Sequence, residues 1–269
     1  MRIPLDIIGD IAILKFPRVS SVRSKKVYAL KLLKENKHLR VILEKKNKVS
    51  GRLRISKTVF LAGENRKETL HRENGCSFYL DVDKTYFSPR LSNERKIVSE
   101  DILKEIKKSK IKNTKILVMF AGVAPLPIVL AKTLKKSGIS AKVISSELNR
   151  NASLYAKKNV LANKLGDSIE VIQGDSKAAC SSFARKKIKF DFILMPRPNL
   201  KDSFLGSAFS VSKKETLIYY HGFGVEERVR ETILSDAKKA KKKISRLEVR
   251  KAGEIGVKKY RFNVKFRVL

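Results

Sequence analysis

The 269-residue sequence has no tryptophan, three histidines and only two cysteines, Cys76 and Cys180. That rules out a disulfide framework and a zinc ribbon, so no metal centre is expected and the compartment expected is the reducing cytoplasm. Long apolar runs are also missing. None approaches the ~18 residues of a membrane span, so no membrane partner is expected and the chain reads as soluble. The opening MRIPLDIIGDIAILKFP is interrupted by Asp6 and Asp10 and has no small-residue cleavage site, so it reads as a pair of strands rather than a signal peptide. Proline is scarce, with 7 residues, and 42% hydrophobic content argues against a disordered chain. Acidic residues are the last shortage: 26 Asp and Glu face 61 Lys and Arg, for a formal charge of +35. A field of that sign gathers polyanions and makes their binding depend on salt, which points to nucleic acid. Runs such as Lys238, Lys239, Lys241, Lys242 and Lys243 also fit a merely lysine-solvated surface.

The length allows two moderate domains, and the pattern changes part-way along. The segments IAILKF, RVILEKK, RLRISKTVFLAG and CSFYLDVD read as strands punctuated by Gly9, Gly51, Gly63 and Gly75, giving a small α+β domain over residues 1–105. Ile97, Val98, Ile102, Leu103 and Ile106 then recur at helical spacing in SNERKIVSEDILKEIKKSKIKN, a helix that links this domain to the next. Over residues 106–269 short buried strands (KILVMFA, AKVISSE, SIEVIQGD, FDFILMP, TLIYYHGF) alternate with helical segments, and KKYRFNVKFRVL closes the chain as one more strand. The fold class expected is α/β: a Rossmann-like, doubly wound sheet closed by one added C-terminal strand, expected to be antiparallel, which is the layout of class I methyltransferases.

In such a sheet a ligand lies beyond the carboxyl ends of the strands. There the chain places Phe120 to Pro125 with Gly122, then Glu147, then Gly174-Asp175, then Met195-Pro196-Arg197-Pro198. A GxGxxG turn is absent, which argues against a pyrophosphate cradle. Glu147 suits two ribose hydroxyls, Asp175 an adenine edge and Pro196 a rigid wall. Taken singly, each is as well read as a surface carboxylate, a turn or a strand breaker. Together they favour an S-adenosylmethionine (AdoMet) pocket over a nicotinamide site. The stretch KTYFSPRLSNER poses a separate question. Pro89 forces a turn, Ser92 or Asn93 reads as a helix cap, and Glu94 then falls in the first turn, where a carboxylate is ordinarily a dipole partner contributing ~0.3–1 kcal/mol.

ETLHRENGCSFYLDVDKTYFSPRLSNER, followed by FAGVAPLPIVLAK and NVLANKL, resembles the archaeal and eukaryotic family of tRNA (guanine-N(1))-methyltransferases that modify position 37. The resemblance covers nearly the whole chain. It implies tRNA as partner, AdoMet as cofactor and a monomer. It further implies Glu94 as general base, Arg54 facing guanine O6, and Arg95 against the cofactor together with Phe120, Gly122, Glu147, Leu148, Asp175, Ser176 and Pro196. Tyr86, Arg90 and Pro198 are implied as substrate contacts. The related wybutosine-pathway aminocarboxypropyl transferases usually carry Gly-Tyr where this chain has Ala124-Pro125. The chain departs from the family pattern at Val118, usually Asp, at Pro196-Arg197-Pro198, usually Asn-Leu-Pro, and at Arg150, usually Pro. It is expected to begin at the second of the family's three domains. The competing expectations are aminocarboxypropyl transfer or a second methylation in wyosine synthesis, and a non-catalytic RNA-binding protein.

Overall fold

The computed structural model describes residues 3–17, 19–46, 51, 53–196, 200–256 and 259–269. β1 (Leu5–Ile8) and β2 (Ile11–Leu14) form an antiparallel pair. α1 (Val22–Glu35), whose Ser21 cap accepts from Ser24 N at 3.1 Å, returns the chain to β3 (Val41–Lys45), parallel to β2. β4 (Thr58–Gly63) completes a four-stranded sheet in the order β1-β2-β3-β4. Strand periodicity sorts the side chains: Ala12, Leu14 and Ile42 pack with Ala29 of α1, while Ile11, Val41 and Leu43 face the rest of the molecule.

β5 (Glu68–Glu73) and β6 (Cys76–Asp81) form a separate hairpin, with Asn74 and Gly75 both at positive φ as a two-residue type I′ turn requires. After it, a 3₁₀ turn over Pro89–Leu91 leads into α2 (Ser92–Ser109). Neither Ser92 nor Asn93 caps this helix. Leu91 holds the cap position, and the Ser92 hydroxyl instead accepts from Asn74 Nδ2 at 3.2 Å, tying the helix start to the hairpin turn.

The remaining elements alternate: β7 (Thr114–Met119), α3 (Pro125–Lys136), β8 (Ala141–Glu147), α4 (Arg150–Ala162), β9 (Ile169–Gln173), α5 (Ser176–Arg185), β10 (Phe190–Met195), α6 (Leu205–Ser210), β11 (Ser212–Gly224), α7 (Glu226–Lys239), β12 (Glu248–Gly256) and β13 (Lys259–Arg267). They build a seven-stranded sheet ordered β12-β13-β11-β10-β7-β8-β9, parallel from β9 to β11 and antiparallel at β13 and β12. The doubly wound class I architecture is therefore as expected, but two strands close the sheet rather than one. β12 is almost wholly exposed and has no apolar alternation to announce it.

Alternate residues of the central strands enter two apolar layers. Ile116, Val118, Phe192 and Leu194 join α2, α3 and α4; Leu117, Met119, Ile193 and Met195 join the α5–α7 side. The first layer also takes in Ile11, Val41 and Leu43, so the N-terminal sheet and the large sheet share one core. Two side-chain amides of α4 hold the hairpin to it by imitating a neighbouring strand. Asn159 accepts from Tyr79 N at 2.7 Å and donates to Tyr79 O at 3.0 Å, and Asn163 does the same at Ser77 N and O, 3.0 and 2.7 Å.

Candidate active site

A cleft opens beyond the carboxyl ends of β7, β8, β9 and β10. This is the switch point of the sheet, where the chain leaves β7 toward β8 on one side and β10 lies on the other. The turn after β7 shapes one wall. Phe120, Gly122 and Ala124 all have positive φ, at 57°, 60° and 64°. A Cβ at Gly122 would meet only Tyr86 O, at an ordinary 3.6 Å, so the glycine serves the left-handed conformation rather than space. Holding two non-glycine residues in that region costs of order 1–3 kcal/mol each and marks the turn as a functional candidate. Part of the restraint comes from Glu147. Its two carboxylate oxygens accept from Gly122 N and Asn149 N, both at 2.7 Å. Burial drives the Glu147 carboxyl above its ordinary pKa despite those amide bonds. Each oxygen keeps a lone pair for a ligand hydroxyl.

Leu148, Asp175, Ser176 and Pro196 line the same cleft. Asp175 caps α5 by accepting from Lys177 N at 2.8 Å, and Ser176 Oγ lies 2.7 Å from Ser146 Oγ. Pro198 and Arg197 fall outside the described residues. The departures at positions 118 and 150 are accommodated away from the ligand wall. Val118 is fully buried in the apolar layer beside α3. Arg150 merely opens α4, which Asn149 caps by accepting from Asn151 N at 2.9 Å.

Across the cleft stand Leu53, Arg54 and Tyr86. The Arg54 guanidinium lies 5.2 Å from the Tyr86 ring centroid, and its Nε is buried without a hydrogen-bond partner. A buried unpaired donor of this kind is costly unless a ligand completes it.

Three of the anticipated site residues do not line the cleft. Arg90 is paired with Asp6 at 2.8 Å on an exposed edge. Arg95 is buried against the hairpin, with Nη2 2.6 Å from Glu73 Oε2 and its guanidinium 5.2 Å from the Phe87 ring, so it does not lie against a cofactor placed in this cleft. Glu94 is buried one step behind the wall. Its Oε1 accepts from Arg250 Nη2 and from Asn263 Nδ2, both at 2.7 Å. Burial alone would raise the Glu94 pKa, but its contacts with His221 and Arg250 outweigh that and hold the carboxyl at about 2.

Among the lining residues that sequence reasoning missed, three come from the far side of the sheet: His221 and Phe223 at the end of β11 and Arg261 on β13. Inspecting the end of the fifth strand, as was done for the first four, would have found His221 and Phe223 in TLIYYHGF. Arg261 sits 5.4 Å from the Phe223 ring centroid, a second cation-on-aromatic pair at the mouth. Burial, aided by the charges of Arg261 and Arg250 and opposed by Glu94, lowers the His221 pKa. Among the described residues no cluster of acidic, histidine or cysteine side chains is placed to hold a metal ion, and no helix is long and apolar enough to cross a membrane.

Residues 69–250 match the model of the TRM5/TYW2 methyltransferase domain. Pyrococcus abyssi tRNA (guanine(37)-N(1))-methyltransferase Trm5b is 32% identical over 98% of this chain and 74% of its own length, and its crystal structure superposes with a TM-score of 0.80. The Nanoarchaeum equitans tRNA (guanine(37)-N(1))/4-demethylwyosine(37)-methyltransferase Taw22 is 31% identical over 96% of this chain and 97% of its own length. Methanocaldococcus jannaschii Trm5, crystallised with adenosine, is 25% identical with a TM-score of 0.77, covering 98% of this chain and 74% of that one. With the cleft at the sheet's switch point and a family match across most of its length, the chain belongs to the TRM5/TYW2 methyltransferase-domain family.

Proposed function

We propose that this protein transfers the methyl group of AdoMet to N1 of guanosine 37 in tRNA. The observation that carries this reading is one cleft with two unlike walls. Acidic acceptors and an apolar edge stand at the strand ends, and a buried, unpartnered guanidinium nitrogen stands opposite. The first wall suits AdoMet: Glu147 offers two acceptors to a ribose, Asp175 sits where an adenine edge would lie, and Phe120 and Pro196 supply flat apolar surface. Bound there, AdoMet supplies an electrophilic methyl group.

The protein's own residues must make guanine N1 nucleophilic. N1 carries a proton, so a base has to remove it while a cation answers the negative charge that grows on O6. Arg54 takes the second role, with Tyr86 beneath its guanidinium holding it over the cleft. Removal of the proton belongs to the opposite face, where Glu94 lies. The strong positive charge attracts the tRNA. We assign RNA contact to residues 1–105 and methyl transfer to residues 106–269, with α2 spanning the junction. The reaction is placed in the reducing cytoplasm, in keeping with Cys76 and Cys180 both being free and buried.

The test is nucleoside mass spectrometry of unmodified tRNA incubated with the protein and AdoMet. 1-Methylguanosine should form on tRNA with G37 and not on an A37 variant; absence of 1-methylguanosine, or its appearance elsewhere in the tRNA, overturns the reading. A second substrate is supported by the full-length likeness to Taw22, whose name includes 4-demethylwyosine methylation. A tRNA carrying 4-demethylwyosine tests it in the same assay.

A further inference from the structure

Glu94 faces a row of side chains carried by three neighbouring strands. Arg250 of β12, Asn263 of β13 and His221 of β11 stand opposite one another in register, and each brings a nitrogen to the same carboxylate oxygen. Glu94 Oε1 lies 2.7 Å from Arg250 Nη2, 2.7 Å from Asn263 Nδ2 and 3.8 Å from His221 Nε2. Among the described residues no hydrogen bond is made to Oε2. We propose that Arg250 and Asn263 are positioning residues for the Glu94 base, clamping Oε1 so that Oε2 is the oxygen that takes the N1 proton. The inference rests on the reading of Glu94 as the base of methyl transfer.

The rest of α2 is held in step with this row. Asp101 and Glu105 follow Glu94 at spacings of seven and four, on the same helix face, and Lys265 and Arg267 follow Asn263 at alternate positions of β13, on the same sheet face. Lys265 Nζ is 3.0 Å from Asp101 Oδ2 and 2.7 Å from Glu105 Oε1, and Arg267 Nη2 is 3.1 Å from Glu105 Oε2. Tyr219 of β11 adds its hydroxyl, which donates to Asp101 at 2.6 Å. These pairs fix the height and rotation of the helix against β13. What they leave loose is the Glu94 side chain, and two donors converging on one oxygen remove that freedom before substrate arrives. Its row neighbour His221 lines the cleft, so the carboxylate stands one residue from the substrate, a gap of the kind that closes as a reacting complex tightens. In the step, the N1–H bond breaks, its proton goes to Oε2 and its electron pair stays on N1. That pair forms the bond to the methyl carbon while the carbon–sulfur bond breaks, its pair going to sulfur. Glu94 then returns the proton to solvent.

Arg250 also bears on the charge of the base. The charged groups that face Glu94 are Arg250 from β12 and His221 from β11, with Arg261 of β13 acting on His221. Burial alone would raise the Glu94 pKa, and the contacts with His221 and Arg250 hold it at about 2. Without the Arg250 charge burial is less opposed, so the Glu94 pKa climbs and the carboxylate is lost at higher pH.

The measurement is single-turnover methylation of G37 tRNA at saturating AdoMet and tRNA, from about pH 5 to 8.5, for wild type, Arg250→Met, Arg250→Lys, Asn263→Leu, Glu94→Gln and the Glu94→Gln/Arg250→Met pair. Arg250→Met and Asn263→Leu should each be slowed by about 10- to 100-fold with AdoMet affinity unchanged. The acid limb of Arg250→Met should lie at higher pH than that of wild type, and Arg250→Lys, which keeps the charge, should recover part of the rate and leave the limb near its wild-type place. Because Arg250 acts through Glu94, the double variant should be no slower than Glu94→Gln alone. Rates for Arg250→Met and Asn263→Leu within about threefold of wild type, or a double variant slowed by the product of the two single losses, overturn the proposal. Arg250→Met lies on the exposed edge strand, and its cycle with Glu94→Gln decides alone should Asn263→Leu not fold. The underlying reading fails separately: wild type then makes no 1-methylguanosine, or Glu94→Gln keeps the wild-type rate.

Discussion

Replacing Glu147 by glutamine probes the cofactor wall most directly, because one side chain there does two things. It restrains the turn after β7 through Gly122 N and the start of α4 through Asn149 N, each at 2.7 Å, and it presents the remaining lone pairs to the cleft. A carboxamide can offer its oxygen to only one of those amides. The other then faces an NH₂ group, donor against donor. A hydrogen bond to a charged group contributes about 1.5–3 kcal/mol. The loss to the turn and the loss to the ribose share one side chain and do not add. The expected weakening of AdoMet binding is therefore a single step of that size, roughly 10- to 150-fold in Kd. Calorimetry with AdoMet measures it, and tRNA affinity, which depends on the opposite wall and the basic surface, should not change. A pH series sharpens the test. Burial raises the Glu147 pKa, so the carboxylate is protonated at higher pH than an exposed glutamate. Wild-type affinity should weaken as pH falls toward weakly acid conditions, and the glutamine variant should lack that dependence. An unchanged Kd in Glu147→Gln, or the same pH series in both proteins, would remove Glu147 from the cofactor site.

Three other perturbations follow from the same geometry. With 61 basic against 26 acidic residues, tRNA affinity should fall by about 0.7–0.9 log units per log unit of salt for each phosphate neutralised, and a filter-binding titration that is flat in salt would contradict an electrostatic footing. Asn159→Ala strips partners from Tyr79 N and O and from Val123 O, so it should lower unfolding free energy in urea by about 2–4 kcal/mol; a loss under 0.5 kcal/mol would mean the hairpin is held by packing alone. Glu94→Gln should slow single-turnover methylation by about 10²-fold or more while AdoMet affinity stays put. Because the Glu94 carboxyl is depressed from 4.5 to about 2, its contribution to stability is present above 4.5 and lost as pH falls through about 2, and the variant's urea midpoint should lack that part of the acid dependence.

The central fold was legible because its strands obey a local rule. β7 and β10 are short, largely apolar runs buried on both faces, and helices of 10–13 residues separate the strands from β7 to β10. β5 and β12 were not legible, for opposite reasons. β5, with the sequence ETLHRE, is polar and exists as a strand because β6 pairs with it; the apolar face of the hairpin, Cys76, Phe78 and Leu80, lies on β6. β12 is exposed along nearly its whole length and exists as a strand because β13 pairs with it. In neither case does burial leave a period in the sequence to read.

The same distinction separates the two sides of the cleft. Strand ends announce themselves, so Glu147, Asp175 and Pro196 could be placed from the sequence, and all three line the cleft. The adjacent pair Glu94 and Arg95 could not be oriented that way. Neighbours on a helix diverge by about 100°, so the two charges cannot serve one surface. Arg95 turns to the hairpin, where Glu73, 22 residues earlier, receives it. Glu94 turns to the sheet edge, where Arg250 and Asn263, 156 and 169 residues later, fix it behind His221. Only the pairing of α2 with β12 and β13 decides which charge approaches the chemistry. A motif that joins Glu94 and Arg95 in one line of sequence therefore says that both matter and leaves open that one of them, Arg95, serves the scaffold.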